Sequence, residues 1–254
     1  MASVAAPVPD ESGEPEVPFP LCEPLQVSSL RAPAAALIEI LGPQLTPERR
    51  RRVAAVVHSR SYAVATVLEH LHDEGNIAAV MRSAEATGFP RMHLIPPPAG
   101  APERANQRPP SRVTQGAEKW LDPTEWPDTD ICLSALRRGG YTIWATSLAL
   151  TSARLADVPL PPRLALVFGA EHAGVSDAAV AAADLTVRLP IYGFSQSYNV
   201  SVAAALVLHD LRRRRPGGLT RAQRRTLTAS YYVRSLRNAD GVVARALTSP
   251  PARP

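Results

Sequence analysis

The chain has 254 residues and a formal net charge of +5, from 28 Lys and Arg residues against 23 Asp and Glu residues. It contains no run of 18 uncharged apolar residues, which argues against a membrane span, and its acidic, proline-rich start lacks the pattern of a signal peptide. The two cysteines, Cys22 and Cys132, show no metal-ligand spacing, so we expect free thiols, no metal site and a cytoplasmic location.

The charge is distributed unevenly along the chain. The first 24 residues contain five acids and no base, which leaves 28 bases against 18 acids in the rest. Two arginine runs flank the central region, a pattern typical of nucleic-acid-binding proteins, although solvated helix faces in an arginine-rich chain look the same. We take the two runs as candidate RNA contacts: Arg49, Arg50, Arg51, Arg52, Arg212, Arg213, Arg214 and Arg215.

The elements at the two ends of the chain are predicted from composition and helix signals. Residues 1–27 have little apolar surface to bury and are predicted to form a disordered tail. Residues 28–60 form a basic helical extension, in which Thr46, Pro47 and Glu48 mark a helix start. Residues 216–254 form a second basic helical extension, with one or two helices after the Pro-Gly-Gly sequence.

The region between the extensions, residues 61–215, alternates strands with helices of about ten residues. Such alternation predicts an α/β domain with a mostly parallel sheet and helices on both faces. The strands are predicted at 63–68, 91–95, 141–145, 164–168 and 185–189, and the helices at 76–87, 129–138, 176–183 and from about 199.

Three strand-to-loop junctions contain the polar residues that could bind a ligand or take part in catalysis. The first reads NIAAVMRSAEATGF, with Asn76 at a predicted helix start and Arg82 six residues later. The second, LALVFGAEHAGVS, is a buried strand followed by a glycine loop with one acid, Glu171. The third, LPIYGFSQSYNVSVAAALVL, ends a strand and begins a helix at which Ser197 or Asn199 is the expected N-cap. Each feature alone has an ordinary structural explanation, but ligands bind at such strand ends in open α/β sheets.

Taken in order, the three motifs resemble those of the SpoU family of RNA 2′-O-ribose methyltransferases, which belong to the SPOUT class. The resemblance covers about residues 56–215. It is greatest to the TrmH type, which methylates guanosine 18 in the tRNA D-loop, because a basic helical extension follows the catalytic domain and no separate N-terminal RNA-binding domain precedes it. The alternatives are a ribosomal RNA 2′-O-methyltransferase and a non-catalytic RNA-binding protein with the same fold.

The resemblance implies a deep trefoil knot, formed by the loops after Ala145, Phe168 and Leu189, that holds S-adenosylmethionine. It also implies a homodimer that acts on tRNA and not on DNA. The implied cofactor-binding residues are Thr146, Gly169, Leu189, Ile191 and Tyr198, and the implied catalytic residues are Arg82, Asn76, Glu171, Ser197 and Asn199. Because a guanidinium is a poor base at neutral pH, we expect Arg82 to hold a phosphate and stabilise the developing alkoxide, with the proton leaving either to Arg82 or through that phosphate. Tyr198 departs from the leucine usual in the family.

Overall fold

The computed structural model describes residues 19–98, 116–171 and 173–248, which fall into two compact units. We call Ser61–Pro216 the sheet unit, and Phe19–Arg60 with the chain from Gly217 onward the terminal unit. No helix in the described ranges has the length and apolar character needed to cross a bilayer.

Strands and helices alternate along most of the described chain. The strands are β1 Leu25–Val27, β2 Leu30–Ala32, β3 Val64–Glu69, β4 Arg91–Ile95, β5 Asp122–Glu125, β6 Thr142–Thr146, β7 Ala153–Arg154, β8 Leu164–Phe168 and β9 Leu185–Arg188. The helices are α1 Ala34–Leu41, α2 Pro47–Ser59, α3 Glu74–Thr87, α4 Thr129–Arg138, α5 Asp177–Ala182, α6 Val200–Arg214, α7 Arg221–Ser235 and α8 Ala239–Thr248.

The described part of the sheet unit contains seven strands in the order β5-β4-β3-β8-β6-β9-β7, and every neighbouring pair is parallel. Because successive side chains of a strand point to opposite faces, β8 contributes Leu164, Leu166 and Phe168 to one core and Ala165 and Val167 to the other. Helices α3 and α6 cover the first core, and α4 and α5 cover the second. The predicted parallel α/β sheet with helices on both faces is therefore confirmed.

The start of α3 differs from the prediction. Asp73, not Asn76, is the N-cap: its Oδ1 accepts hydrogen bonds from the backbone N–H groups of Gly75 (2.6 Å) and Asn76 (3.2 Å). The helix ends as predicted at Gly88, whose φ of +83° is a left-handed conformation that suits glycine. The earlier cap leaves the Asn76 side chain available for a contact outside its own helix.

Within its described residues, the terminal unit contains the β1–β2 hairpin and four α-helices. Helix α1 packs against α7 and α8, and α2 packs against α7. Thr46 caps α2 as predicted, and two helices follow Gly217. The tail expected over 1–27 lies outside the described residues up to residue 18, but residues 25–27 form a strand paired with β2, so that part of the prediction is wrong. Strand β1 is stabilised by backbone hydrogen bonds with β2, and no pattern in the sequence of residues 25–27 predicts that pairing.

Candidate active site

A cavity of about 410 Å³ lies where three parallel strands reach their carboxyl ends. Its walls come from the segments that follow β6, β8 and β9 and from the first turns of α6. Parallel strands end at the same edge of a sheet, so loops that are distant in sequence meet there. The volume is in the range of small-molecule sites, about 300–1,000 Å³.

The sequence-predicted cofactor residues all line this cavity, together with two of the five predicted catalytic residues. Those seven residues are Thr146, Gly169, Leu189, Ile191, Tyr198, Glu171 and Ser197. The Tyr198 side chain keeps part of its surface exposed, and its hydroxyl lies 3.5 Å from the carbonyl oxygen of Pro190. The aromatic ring that replaces the usual leucine is thus accommodated at the cavity wall.

Gly169 permits a close approach of two backbone segments in this wall. A Cβ atom at this position would lie 2.1 Å from the carbonyl carbon and oxygen of Gly174, far inside contact distance. The turn between them is closed by a hydrogen bond from Gly174 N–H to the carbonyl oxygen of Ala170 (2.8 Å). Glycine is therefore required at 169 for the loop after β8 to take its observed path.

A hydrogen-bonded cluster joins the three sequence motifs. The Asn76 side-chain amide donates to Glu171 Oε1, and Asn199 Nδ2 donates to Asn76 Oδ1 (3.2 Å). Asn199 is the N-cap of α6, and its Oδ1 accepts from the backbone N–H (2.9 Å) and the hydroxyl (2.6 Å) of Ser201. Each amide in the cluster therefore has one orientation that satisfies its partners, and this fixes the Glu171 carboxyl group beside the cavity.

Arg82 is not part of this cluster. It is exposed, is not among the cavity-lining residues, and has no hydrogen-bond or ion-pair partner within the described parts of the chain. Arg82 follows Asn76 by six residues in the same helix, which amounts to about 9 Å of rise and about 1.7 turns, so the two side chains leave the helix about 120° apart. The structure thus joins three predicted catalytic residues in the cluster, places the fourth, Ser197, at the cavity wall, and leaves the Arg82 guanidinium free for an external anion.

Several cavity residues were missed by sequence reasoning. Ser147, Leu148 and Arg188 lie at or just beyond the ends of β6 and β9, and Val175 and Val180 come from the loop before α5 and from α5 itself. The rule that ligands bind at strand ends points to the first three. Val175 and Val180 have no such signal, because they lie next to the cavity only through the fold of the loop.

The two arginine runs differ in what their side chains contact. Arg50 and Arg52 on α2 are exposed, and no hydrogen-bond or ion-pair partner for them is found in the described residues. Arg214 donates to the carbonyl oxygens of Leu155 and Val158, and Arg215 donates to those of Pro161 and Pro162. Burial lowers the pKa of Arg215. These two side chains hold the 155–162 segment, and part of their hydrogen-bonding capacity is used within the chain.

The other four arginines of the two runs lie between these extremes of exposure and contact. Arg49 donates to the hydroxyl of Ser235 (3.3 Å), Arg51 pairs with Glu48 (3.0 Å), and Arg213 lies 4.0 Å from Asp210. Arg212 is half-buried, and one of its guanidinium nitrogens has no partner among the described residues. Exposed ion pairs of this kind are weak and exchange readily with other anions.

The chain is similar in sequence and in structure to known RNA methyltransferases. The sequence profile of the SpoU rRNA methylase family matches residues 63–209. A tRNA (guanosine(18)-2′-O)-methyltransferase from Borreliella burgdorferi is 31% identical over 207 residues, which is 79% of this chain and 92% of that protein. A protein of the same name from Thermus thermophilus is 34% identical over 170 residues, covering 67% of this chain and 84% of that one. The crystal structure of the A. aeolicus TrmH/SpoU tRNA-modifying enzyme superposes with a TM-score of 0.62 at 26% identity, covering 72% of this chain and 95% of that one. The chain therefore belongs to the SpoU methylase family and is an RNA methyltransferase.

Proposed function

We propose that this protein transfers a methyl group from S-adenosylmethionine to the ribose 2′-hydroxyl of guanosine 18 in the tRNA D-loop. The observation that carries the proposal is the cavity flanked by the Asn76–Glu171–Asn199 cluster, which unites all three motifs at one edge of the sheet. The two relatives that bear this activity in their names support the choice of tRNA, since they align along most of their length.

The cavity suits the methyl donor in both size and chemistry. Its walls are largely apolar, with hydroxyl groups of Thr146, Ser147 and Ser197 and the carboxyl group of Glu171 placed among them. Thr146 is held by a hydrogen bond from its hydroxyl to the carbonyl oxygen of Val167 (3.0 Å). Most of the lining residues belong to the segments that follow β6, β8 and β9, in keeping with our proposal that these loops form the trefoil knot of the SPOUT class.

The chemistry asks the protein mainly to position the reactants and stabilise charge. When bound, S-adenosylmethionine supplies an electrophilic methyl group. The exposed Arg82 guanidinium holds the phosphate next to the target ribose and stabilises negative charge that develops on the 2′-oxygen. Asn76 and Asn199 keep the Glu171 carboxyl group in a single orientation at the cavity edge.

We assign tRNA backbone binding chiefly to the terminal unit. Its described residues contain 12 arginines against four acids, whereas those of the sheet unit contain 12 bases against 14 acids. Positive charge of this kind binds phosphate without regard to sequence and weakens as salt is added. The proposal places the enzyme with its tRNA substrate in the cytoplasm.

A second copy of the chain is the proposed partner for the outer face of α6. Val202 and Leu206 are each nearly half exposed on that face, and Tyr192 and Phe194 in the preceding loop are largely exposed. Apolar surface of this kind marks association sites in proteins without a membrane role. A homodimer would cover it close to the cavity.

The deciding experiment is transfer of a tritiated methyl group from S-adenosylmethionine to tRNA transcripts, with ribosomal RNA as a parallel substrate. Label on tRNA that disappears when guanosine 18 carries a 2′-deoxyribose supports the proposal. Label on ribosomal RNA alone would replace it with the ribosomal alternative, and RNA binding without label would make the protein a non-catalytic RNA-binding protein.

The matched variant is Arg82→Ala. We expect methyl transfer to fall by about a hundredfold to a thousandfold, because a group that stabilises transition-state charge is typically worth that much. Binding of S-adenosylhomocysteine, measured by calorimetry, should be unchanged because Arg82 does not line the cavity. Near-normal turnover of Arg82→Ala would contradict the assigned role.

A further inference from the structure

A buried carboxyl group, Glu69, lies directly beneath the loop that follows β8. Glu69 is the last residue of β3 and is completely buried. Acidic side chains are almost never buried this fully without a partner, and no cation pairs with Glu69 within the described ranges. Its partners are instead neutral donors, which makes the geometry of those hydrogen bonds the reason that the residue is tolerated there.

Three hydrogen bonds satisfy the Glu69 carboxyl group. Its Oε1 accepts from the hydroxyls of Thr129 (2.6 Å) and Ser176 (2.7 Å), and its Oε2 accepts from the backbone N–H of Ser176 (2.9 Å). Thr129 is the first residue of α4, and Ser176 is the N-cap of α5. One carboxyl group therefore ties the starts of two helices to the end of β3.

The Ser176 end of this arrangement belongs to the cavity wall. Leu68 pairs with Phe168 in the sheet, so Glu69 and Gly169 leave their strands side by side. The segment from Gly169 to Val175 contributes six lining residues, and Val180 on α5 adds another. This wall is thus fixed at one end by β8 and at the other by the two hydrogen bonds between Glu69 and Ser176.

We propose that Glu69 is a positioning residue for methyl-donor binding, acting through Ser176 on the loop between β8 and α5. It does not line the cavity, so any effect on the ligand must pass through the loop. The inference rests on the proposed function of the cavity as the S-adenosylmethionine site. It is distinct from a general contribution to folding, because the Thr129 side of the same carboxyl group faces α4 and not the cavity wall.

The test compares three variants that remove different parts of the arrangement. Glu69→Gln replaces one acceptor oxygen by a donor, Ser176→Ala removes the loop-side hydroxyl, and Thr129→Val removes only the α4-side hydroxyl. We expect the first two to weaken S-adenosylhomocysteine binding by about tenfold in calorimetry, the usual effect of losing a hydrogen bond to a charged group. Thr129→Val should bind as the wild type does. Ser176→Thr, which keeps a hydroxyl, should restore the affinity lost in Ser176→Ala.

Two further readouts separate positioning from simple destabilisation. In the ligand-free protein, amide hydrogen exchange over 169–176 should accelerate in Glu69→Gln and Ser176→Ala but not in Thr129→Val. In steady-state methyl transfer, the KM for S-adenosylmethionine should rise by a similar factor, with kcat changed less than twofold.

The outcomes are distinguishable from failure of the proposed function. If the wild type bound no S-adenosylhomocysteine, the assignment of the cavity would fail. If the wild type bound it and Glu69→Gln bound equally well, or if Thr129→Val lost as much affinity as Ser176→Ala, the role of Glu69 would be refuted while the cavity assignment stood. Should Glu69→Gln fail to fold, Ser176→Ala and its threonine counterpart decide the question.

Discussion

The sheet unit and the terminal unit differ in two properties: the first contains the cavity, and the second contains the excess of positive charge. The sheet unit holds the cavity and the Asn76–Glu171–Asn199 cluster, yet its described residues carry slightly more acid than base. The terminal unit carries three arginines for every acid among its described residues, and none of them lines the cavity. Under the proposed function, methyl transfer depends on geometry in the sheet unit, and attraction to RNA comes mainly from the terminal unit.

Arginine content alone does not identify an RNA-binding face in either unit. In the terminal unit Arg60 is almost completely buried and donates to the hydroxyl of Tyr231 (3.1 Å). In the sheet unit Arg214 and Arg215 donate to backbone carbonyl groups of their own unit. Only exposed guanidinium groups with spare donors, such as that of Arg52, can respond strongly to a polyanion.

The largest effect that should separate the units comes from Gly169→Ala. The added Cβ would collide with the backbone of Gly174, so the loop after β8 must move and deform the cavity. We expect S-adenosylhomocysteine affinity to fall by about a hundredfold, while tRNA affinity in a filter-binding assay stays within twofold. Gly193→Ala is the control, because a Cβ at that position meets nothing within 4 Å. If Gly169→Ala bound the cofactor as tightly as the wild type does, the loop would be able to move aside without loss of affinity, and the prediction would be wrong.

The converse experiment removes charge from the terminal unit. The double variant Arg50→Ala/Arg52→Ala should weaken tRNA binding about tenfold at low salt and reduce the slope of log affinity against log salt by about 2. Cofactor affinity should not change. Arg138→Ala, an exposed arginine at the end of α4, is the matched control in the sheet unit. Equal losses of tRNA affinity in the double variant and in Arg138→Ala would mean that the two units share RNA binding evenly.

The parts of the sheet unit that were predictable are those with two independent local signals. Strand β8 is an uninterrupted apolar run, as expected for a parallel strand buried on both faces, and Gly169 follows it directly. Helix α4 begins and ends where its capping residue and its two glycines indicate. The cavity residues at these junctions could be named because each lies at a strand end, and strand ends meet at one edge.

Elements held by their neighbours were not predictable in the same way. Strand β5 reads Asp-Pro-Thr-Glu, with no apolar alternation, and exists because β4 offers it backbone hydrogen bonds. Asp73 competes with Asn76 for the role of N-cap, and both residue types suit that position equally well. The positions of Arg82 away from the cluster, of Arg214 on the 155–162 segment and of Glu69 beneath the cavity wall depend on tertiary packing that no sequence periodicity encodes.

The smallest expected effect is a pH dependence of the free energy of unfolding that arises in the sheet unit. His93 on β4 is buried, and Trp126 Nε1–H donates to its Nδ1 (2.8 Å). Burial, with a smaller contribution from the charge of Arg91, lowers the pKa of His93 from 6.5 to about 3. As the pH falls, His93 therefore gains a proton near pH 6.5 in the unfolded chain but only near pH 3 in the folded chain. The resulting contribution to the free energy of unfolding is fully present above pH 6.5 and declines as the pH falls.

Between pH 7 and pH 6 this one group should cost the wild type about 0.7 kcal/mol of stability relative to His93→Gln, whose side chain cannot titrate. Urea unfolding followed at both pH values gives the difference directly, because other titrating groups are shared by the two proteins. His58→Gln, at an exposed position in the terminal unit, serves as the control for a histidine substitution. Parallel pH profiles for the wild type and His93→Gln would instead show that His93 is protonated without opening the sheet, and acid sensitivity would then no longer distinguish the sheet unit from the terminal unit.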